Sequence, residues 1–326
     1  MVKNKFPGYN NNLKKISFSL KKRDRLRKIF TYSKYLVLLL LGGLLVFSSC
    51  RKMDSYQTVP TYLKIDSIYV DTYYPAEGSS SAKITDVWVY VDDQQMGVFE
   101  LPAKFPLLFA GKHKLEIRPG IKLNGISSTR VSYPFYQPIV FHDFDFYPDS
   151  IINLGTLKAE YYQDLKFAWV EDFESSIISI IESDNSDTTI ERTMPANNPE
   201  AFLSDHSMYS GKIVLTQERP VFMAYTFDEF DLPKDDSPIV LEMNFKTDHI
   251  LLVGVLVDNP SDYGWEELVY LKETDQWNKI YINIGPVTSR NPNAFGFKVY
   301  FTAALNSSET EAKIYLDNIK LIHRTN

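Results

Sequence analysis

Two aromatic rings and two hydrogen-bonding side chains crowd one polar stretch, DNPSDYGWEE: Asn259, Asp262, Tyr263 and Trp265. Rings of this type stack on the apolar face of a sugar, while a carboxylate or amide beside them bonds its hydroxyls. The pattern suits noncovalent recognition. Packing of the rings within their own loop is the competing account. Arg290 joins the group if its loop reaches the same rim.

Covalent chemistry finds little support. The chain holds no Gly-rich phosphate loop, no HExxH and no GxSxG. His113, His142, His206, His249 and His323 are scattered. Asp248 and His249 are consecutive, so in a strand they face opposite ways and form no dyad. Asp205 and His206 read as a solvated loop pair. With 41 acids in the chain, a chance pair of carboxylates at glycosidase spacing is always available and decides nothing. Cys50 is the single cysteine, which excludes an intrachain disulfide, a zinc cluster and a thiol nucleophile in the body.

The setting of Cys50 gives it another use. Eleven Lys or Arg stand against Asp24 in the first 34 residues, and thirteen uncharged residues follow, Tyr35 to Phe47. A permanent helical span needs roughly 20 apolar residues, whereas the core of a cleaved export signal needs about 7 to 15. Val46-Phe47-Ser48-Ser49-Cys50 resembles the lipobox of bacterial lipoproteins, in the looser form of Bacteroidota. That resemblance implies a signal peptide over 1–49, acyl chains of the palmitate type on Cys50, a tether over 50–60 and an outer-membrane location, with the side left open. The formal net charge is −6, and removing the basic leader leaves the rest near −16. Such a body repels nucleic acid.

Beyond the tether, residues 61–163 read as one β domain. In KITDVWVYVDDQQMGVFELP, Val87, Val89 and Val91 share one parity, while Asp86, Trp88 and Tyr90 share the other, with a turn from Asp92 to Gly97. The phrase GKHKLEIRPG resembles Ig-like and PEGA-like modules, which implies a small β-sandwich acting as spacer or dock. Tyr133, Phe135, Tyr136, Phe141, Phe144, Phe146 and Tyr147 form either a ligand strip or the packing of an antiparallel sheet, the simpler account. His142 has no His or Cys near it in sequence to suggest a metal.

Residues 164–326 supply eight strand candidates: 211–216, 221–227, 238–247, 250–258, 267–271, 278–284, 296–303 and 313–322. No amphipathic helix separates them, so a parallel α/β sheet is excluded. Glu171-Asp172-Phe173-Glu174, Tyr209-Ser210-Gly211-Lys212 and the closing run from Ile314 to Leu321 resemble jelly-roll carbohydrate-binding modules and galactose-binding-like domains. The resemblance implies a last strand lying beside the first. It also implies a structural calcium held by Glu174 and Asp317 with carbonyls from Ser207 to Lys212. Asp317 and Asn318 alternatively bond only to nearby backbone.

The expected fold is therefore all-β, an N-terminal Ig-like β-sandwich followed by a C-terminal jelly-roll β-sandwich. The expected role is a noncatalytic cell-envelope lipoprotein binding glycan through Trp265, Tyr263, Asp262 and Asn259. The alternative is an assembly component docking an outer-membrane protein, and the minor one a polysaccharide-active enzyme.

Overall fold

The structure, a computed structural model, describes residues 59–204 and 206–325. Cys50, the leader, most of the tether and Asp205 lie outside the described residues. No helix among the described residues is long and apolar enough to cross a membrane. The protein is all-β there, and residues from 58 onward form one compact unit.

The first sandwich runs through β1 (Thr61–Asp71), the short helix α1 (Tyr74–Glu77), β2 (Asp86–Val91), β3 (Gln94–Glu100), β4 (Ala103–Leu107), β5 (Gly111–Lys122), β6 (Arg130–Ser132), β7 (Ile139–Phe146) and β8 (Ile151–Glu160). One sheet has the order β4-β1-β8, with β1 and β8 parallel. The other has the order β3-β2-β5-β6, with β7 also paired to β5. Val87, Val89 and Val91 enter the core as their parity demands. Only Asp92 and Asp93 form the turn between β2 and β3, both at positive φ (49° and 64°). That is the conformation of a tight hairpin matched to strand twist, and Asp tolerates it better than most residues. Gln94 to Gly97 are already strand.

Among the aromatics between Val131 and Tyr147, Tyr133, Phe135, Tyr136 and Phe146 are buried. Phe141 and Phe144 meet edge-on, centroids 5.6 Å apart, and pack against the first core. These rings fill the interior, whereas Tyr147 is exposed and donates its hydroxyl to Asp145 at 2.9 Å. His142 is exposed.

The second sandwich contains β9 (Leu165–Glu171), β10 (Ile180–Glu182), β11 (Ile190–Thr193), β12 (Ser210–Thr216), β13 (Val221–Thr226), β14 (Ile239–Thr247), β15 (Leu251–Asp258), β16 (Tyr263–Leu271), β17 (Asn278–Asn283), the helix α2 (Gly285–Arg290), β18 (Gly296–Ala304) and β19 (Glu311–Arg324). The sheets have the orders β10-β13-β18-β15-β16 and β11-β12-β19-β14-β17. Apart from the hairpins β11–β12 and β15–β16, successive strands pass from one sheet to the other, and every pairing is antiparallel. The closing strand β19 does lie beside β9, the first of this body. Phe222, Val253, Val255, Phe297, Phe301, Ile314 and Leu316 build its core. Each such buried side chain contributes about 1.5–3 kcal/mol against exposure, before entropy is counted.

A third apolar cluster joins the two bodies. Val70, Ile121, Tyr133, Phe135, Tyr136 and Tyr161 meet Val240, Tyr281 and Ile322. Charge is buried with them. Glu242 accepts hydrogen bonds from the Tyr133 hydroxyl at 2.6 Å and the Tyr161 hydroxyl at 2.9 Å. Its other oxygen lies 3.1 Å from the Lys279 ammonium, an ion pair outside hydrogen-bond alignment. Lys320 donates to the Ser79 carbonyl at 2.6 Å. Burial alone would push the Glu242 carboxyl up, but Lys279 and Lys320 outweigh it and hold the group below its usual value. Burial pulls Lys320 down to about 7 against the attraction of Glu242.

Candidate ligand-binding face

Strand β16 begins at Tyr263, so Tyr263 and Trp265 are strand residues rather than loop residues. The reason is pairing: Tyr263 stands opposite Asp258 and Trp265 opposite Leu256 on β15. Alternation sends Val253, Val255 and Val257 into the core and Leu252, Gly254, Leu256 and Asp258 to the outer face. On β18, Phe297, Val299 and Phe301 go inward, leaving Lys298, Tyr300 and Thr302 outside. The outer face therefore has rows. Tyr225 stands opposite Tyr300, then come Gly254 and Glu267. The next row holds Lys298, Leu256 and Trp265, and the one on the other side holds Met223, Thr302, Leu252 and Tyr270.

Tyr300 organises this face. A Cβ on Gly254 would lie 2.4 Å from its ring, so the ring lies directly over the bare backbone of β15. Tyr300 is 3% exposed and packs with Leu252, Leu256 and Tyr225. Trp265 meets it edge-to-face, centroids 4.9 Å apart and planes at 79°. This contact fixes the indole while leaving Trp265 48% exposed, and Tyr263 beside it is 49% exposed. Tyr270 is also exposed and donates its hydroxyl to Glu267 at 2.6 Å. Lys298 lies 5.2 Å from the centre of the Tyr225 ring and donates to the Phe227 carbonyl. Burial, then the Glu267 charge, pushes Tyr300 up to about 12. Its phenol is neutral at physiological pH. The face thus offers rings bordered by hydroxyls, two carboxylates and one ammonium.

The other sequence candidates part company. Asp262 spends Oδ1 on the Tyr263 amide, 2.8 Å away, as a turn-former. Asn259 lies against Gly264, on the face opposite Trp265, with its amide nitrogen 3.3 Å from the place of a Gly264 Cβ. Arg290 pairs with Glu266 at 3.1 Å, also across the strand from the indole. Tyr300, Tyr225, Tyr270, Glu267 and Lys298 share the outer face with Trp265 instead. Alternation in GFKVYFTAA signals Tyr300 and Lys298 as one outward face, but only the sheet order places that face beside Trp265.

Glu174 and Asp317 converge on the same loop, though not as cation ligands. Glu174 Oε1 accepts the Met208 and Tyr209 amides at 2.6 and 2.7 Å. Asp317 Oδ2 accepts the Ser207 and Ser210 hydroxyls at 2.7 and 3.1 Å, and its Oδ1 the Asn318 amide at 2.6 Å. The loop offers donors where calcium needs six to eight oxygens, so these residues do not fit the ion. No group of three or more metal-binding side chains occurs among the described residues. The two carboxylates instead secure the loop.

Burial raises Asp317 to about 8 against its three donors. A folded-state value above the unfolded 3.8 means that the native protein holds a proton the unfolded chain has lost. Stability from this group is complete below about pH 4 and lost as pH rises toward 8. Asp317→Asn should flatten that segment of the melting-temperature profile relative to wild type. Parallel profiles between pH 4 and 8 would show that Asp317 is ionised throughout.

His249 and Asp248 diverge as their spacing demands. His249 Nε2 lies 2.9 Å from the Ala304 carbonyl, whereas Asp248 accepts the Lys313 amide. Trp277 donates to the Glu200 carbonyl at 2.8 Å and packs on Phe202, a structural role.

No family model matches the chain, and no curated protein matches it. Among solved structures, a xylan-binding domain from CBM 22 is similar over 49% of this chain and 96% of its own, with 11% identity and a TM-score of 0.34. A carbohydrate-binding module of the β-sandwich superfamily is similar over 73% and 84%, at 14% identity and 0.33. A family 11 module from a Clostridium thermocellum cellulosomal cellulase is similar over 48% and 94%, at 11% and 0.32. Likeness at this level assigns no ligand.

Proposed function

We propose that the protein binds a glycan chain, without cleaving it, on the outer face of the β10-β13-β18-β15-β16 sheet. The observation that carries this reading is a half-exposed Trp265 held edge-on by Tyr300, which is itself seated over Gly254. An exposed ring whose orientation its neighbours fix offers a prearranged face for stacking. Sugars suit the surroundings: Tyr263 and Trp265 offer faces for C–H groups, and Glu267, Lys298 and the tyrosine hydroxyls offer partners for sugar hydroxyls. Calorimetric titration with a panel of neutral and acidic oligosaccharides tests the reading. A Tyr263/Trp265 double alanine variant should lose measurable binding, and affinity unchanged in that variant would remove the proposal.

The same proposal places the protein at a membrane through acylated Cys50, which concentrates the binding face near the envelope without changing its intrinsic affinity. Mass spectrometry of protein extracted from its native host should find the mature chain starting at Cys50 with fatty acid attached. A chain starting at Met1 without lipid excludes the anchor.

A further inference from the structure

One end of β16 opens into a second feature. A cleft of about 530 Å³ lies between the two sandwiches, lined by Lys83, Lys122 and Ile126 on one side and Tyr270, Lys272 and Lys279 on the other, among further residues. Four ammonium groups and one carboxylate, Glu273, line it in a body whose net charge is strongly negative. Lys122 lies 3.5 Å from Glu100, and Lys279 is paired with Glu242. Lys83 and Lys272 have no carboxylate partner among the described residues, Lys83 donating instead to the Asn278 side-chain oxygen. The Lys279 side chain is 3% exposed, and its ammonium has three N–H groups and no hydrogen-bond acceptor. Burial first, and repulsion from Lys122 second, lower the Lys83 ammonium. Lys83 and Lys272 thus bring positive charge to the cleft that no carboxylate pairs, and Thr274, Asn124 and the Tyr270 ring supply the polar and stacking contacts of a small-ligand site.

We infer that this cleft receives an acidic sugar unit, carrying a carboxylate or sulfate, of the glycan whose neighbouring units lie along Trp265 and Tyr263. Tyr270 belongs to both the cleft and the ring face, which makes them one track. The inference rests on the proposed glycan reading and adds the ligand's charge. Oligogalacturonate, heparin-derived oligosaccharide, cellohexaose and inorganic phosphate are the probes. At low salt one of the two acidic oligosaccharides should bind about tenfold more tightly than cellohexaose, and the gap should close near ~0.5 M NaCl. Which of them binds separates carboxylate from sulfate. Lys83→Gln with Lys272→Gln should erase the preference while leaving the melting temperature and any cellohexaose affinity unchanged.

Equal affinities for acidic and neutral chains, or an acidic preference untouched by the lysine variant, overturn the inference. Full displacement of the oligosaccharide by equimolar phosphate also overturns it, since the site then takes any free oxyanion. Loss of neutral binding in the Tyr263/Trp265 variant without acidic preference leaves the glycan reading standing and removes only the cleft. Acidic binding that needs the lysines but not Trp265 does the reverse.

Discussion

Glu242→Gln should destabilise the protein by about 3–5 kcal/mol, the usual consequence of removing one partner from a buried ion pair. Glu242 is fully buried and is the acid that offsets both Lys279 and Lys320. Gln retains a carbonyl oxygen for the Tyr133 and Tyr161 hydroxyls, so the substitution removes charge and little else. The Lys279 ammonium then loses its counter-charge in a site that water reaches poorly, while fully buried Lys320, already drawn down to about 7 with Glu242 present, gives up its proton. Urea denaturation should show a lower midpoint at unchanged slope. For a body of this size the loss corresponds to a drop in melting temperature of roughly 6–15 °C. Adding Lys279→Met should recover part of it, because an apolar chain of similar volume no longer requires a counter-charge. A loss under about 1 kcal/mol would mean that water screens the lysines, and the buried network would not be the joint described.

Trp265→Ala should weaken binding of the best oligosaccharide by about 30-fold or more, equivalent to at least about 2 kcal/mol, as for aromatic anchors at other interfaces. The indole presents a prearranged face, so removing it forfeits stacking area and also uncovers the Tyr300 ring edge. Gly254→Ala provides a second route to the same effect without touching an exposed residue. Its methyl would lie 2.4 Å from the Tyr300 ring, forcing that ring to rotate and taking the support away from Trp265. Affinity should fall in both variants, with Gly254→Ala also costing about 1–3 kcal/mol of stability through overpacking. Full affinity in Trp265→Ala would place the ligand elsewhere.

Much of the architecture was legible because strand alternation is a local signal. The alternation is plainest in β15, where Val253, Val255 and Val257 recur at every second residue, and in β18, where Phe297, Val299 and Phe301 do. Strand β9 and the short β10 and β11 escaped notice. Their text, KFAWVEDFES and onward, mixes acids with rings, and Glu171 is buried as a loop organiser that accepts the Phe173 and Ser179 amides. A buried acid looks like a surface one in sequence. Lys320 and Glu242 mislead in the same way, since alternation assigns them an outward face that the first sandwich then covers.

The site divides similarly. Trp265 and Tyr263 were visible as rings in a polar stretch. Tyr225 and Tyr300 depend on which strands become neighbours. They come from β13 and β18, far apart in the chain and adjacent only because successive strands change sheets. Asn259 lies off the Trp265 face because proximity in sequence is not proximity on a strand face. Strand alternation separates Asn259 from Trp265, and one oxygen of the Asp262 carboxylate accepts the Tyr263 amide in the turn.

The tyrosine-lined joint around Glu242 has a mechanical consequence. With side chains from both sandwiches interleaved there, tension applied at Val59 reaches the second sandwich without a swivel in between. Pulled between that end and a captured polysaccharide, the pair should rupture in a single step, and not as two beads opening in turn.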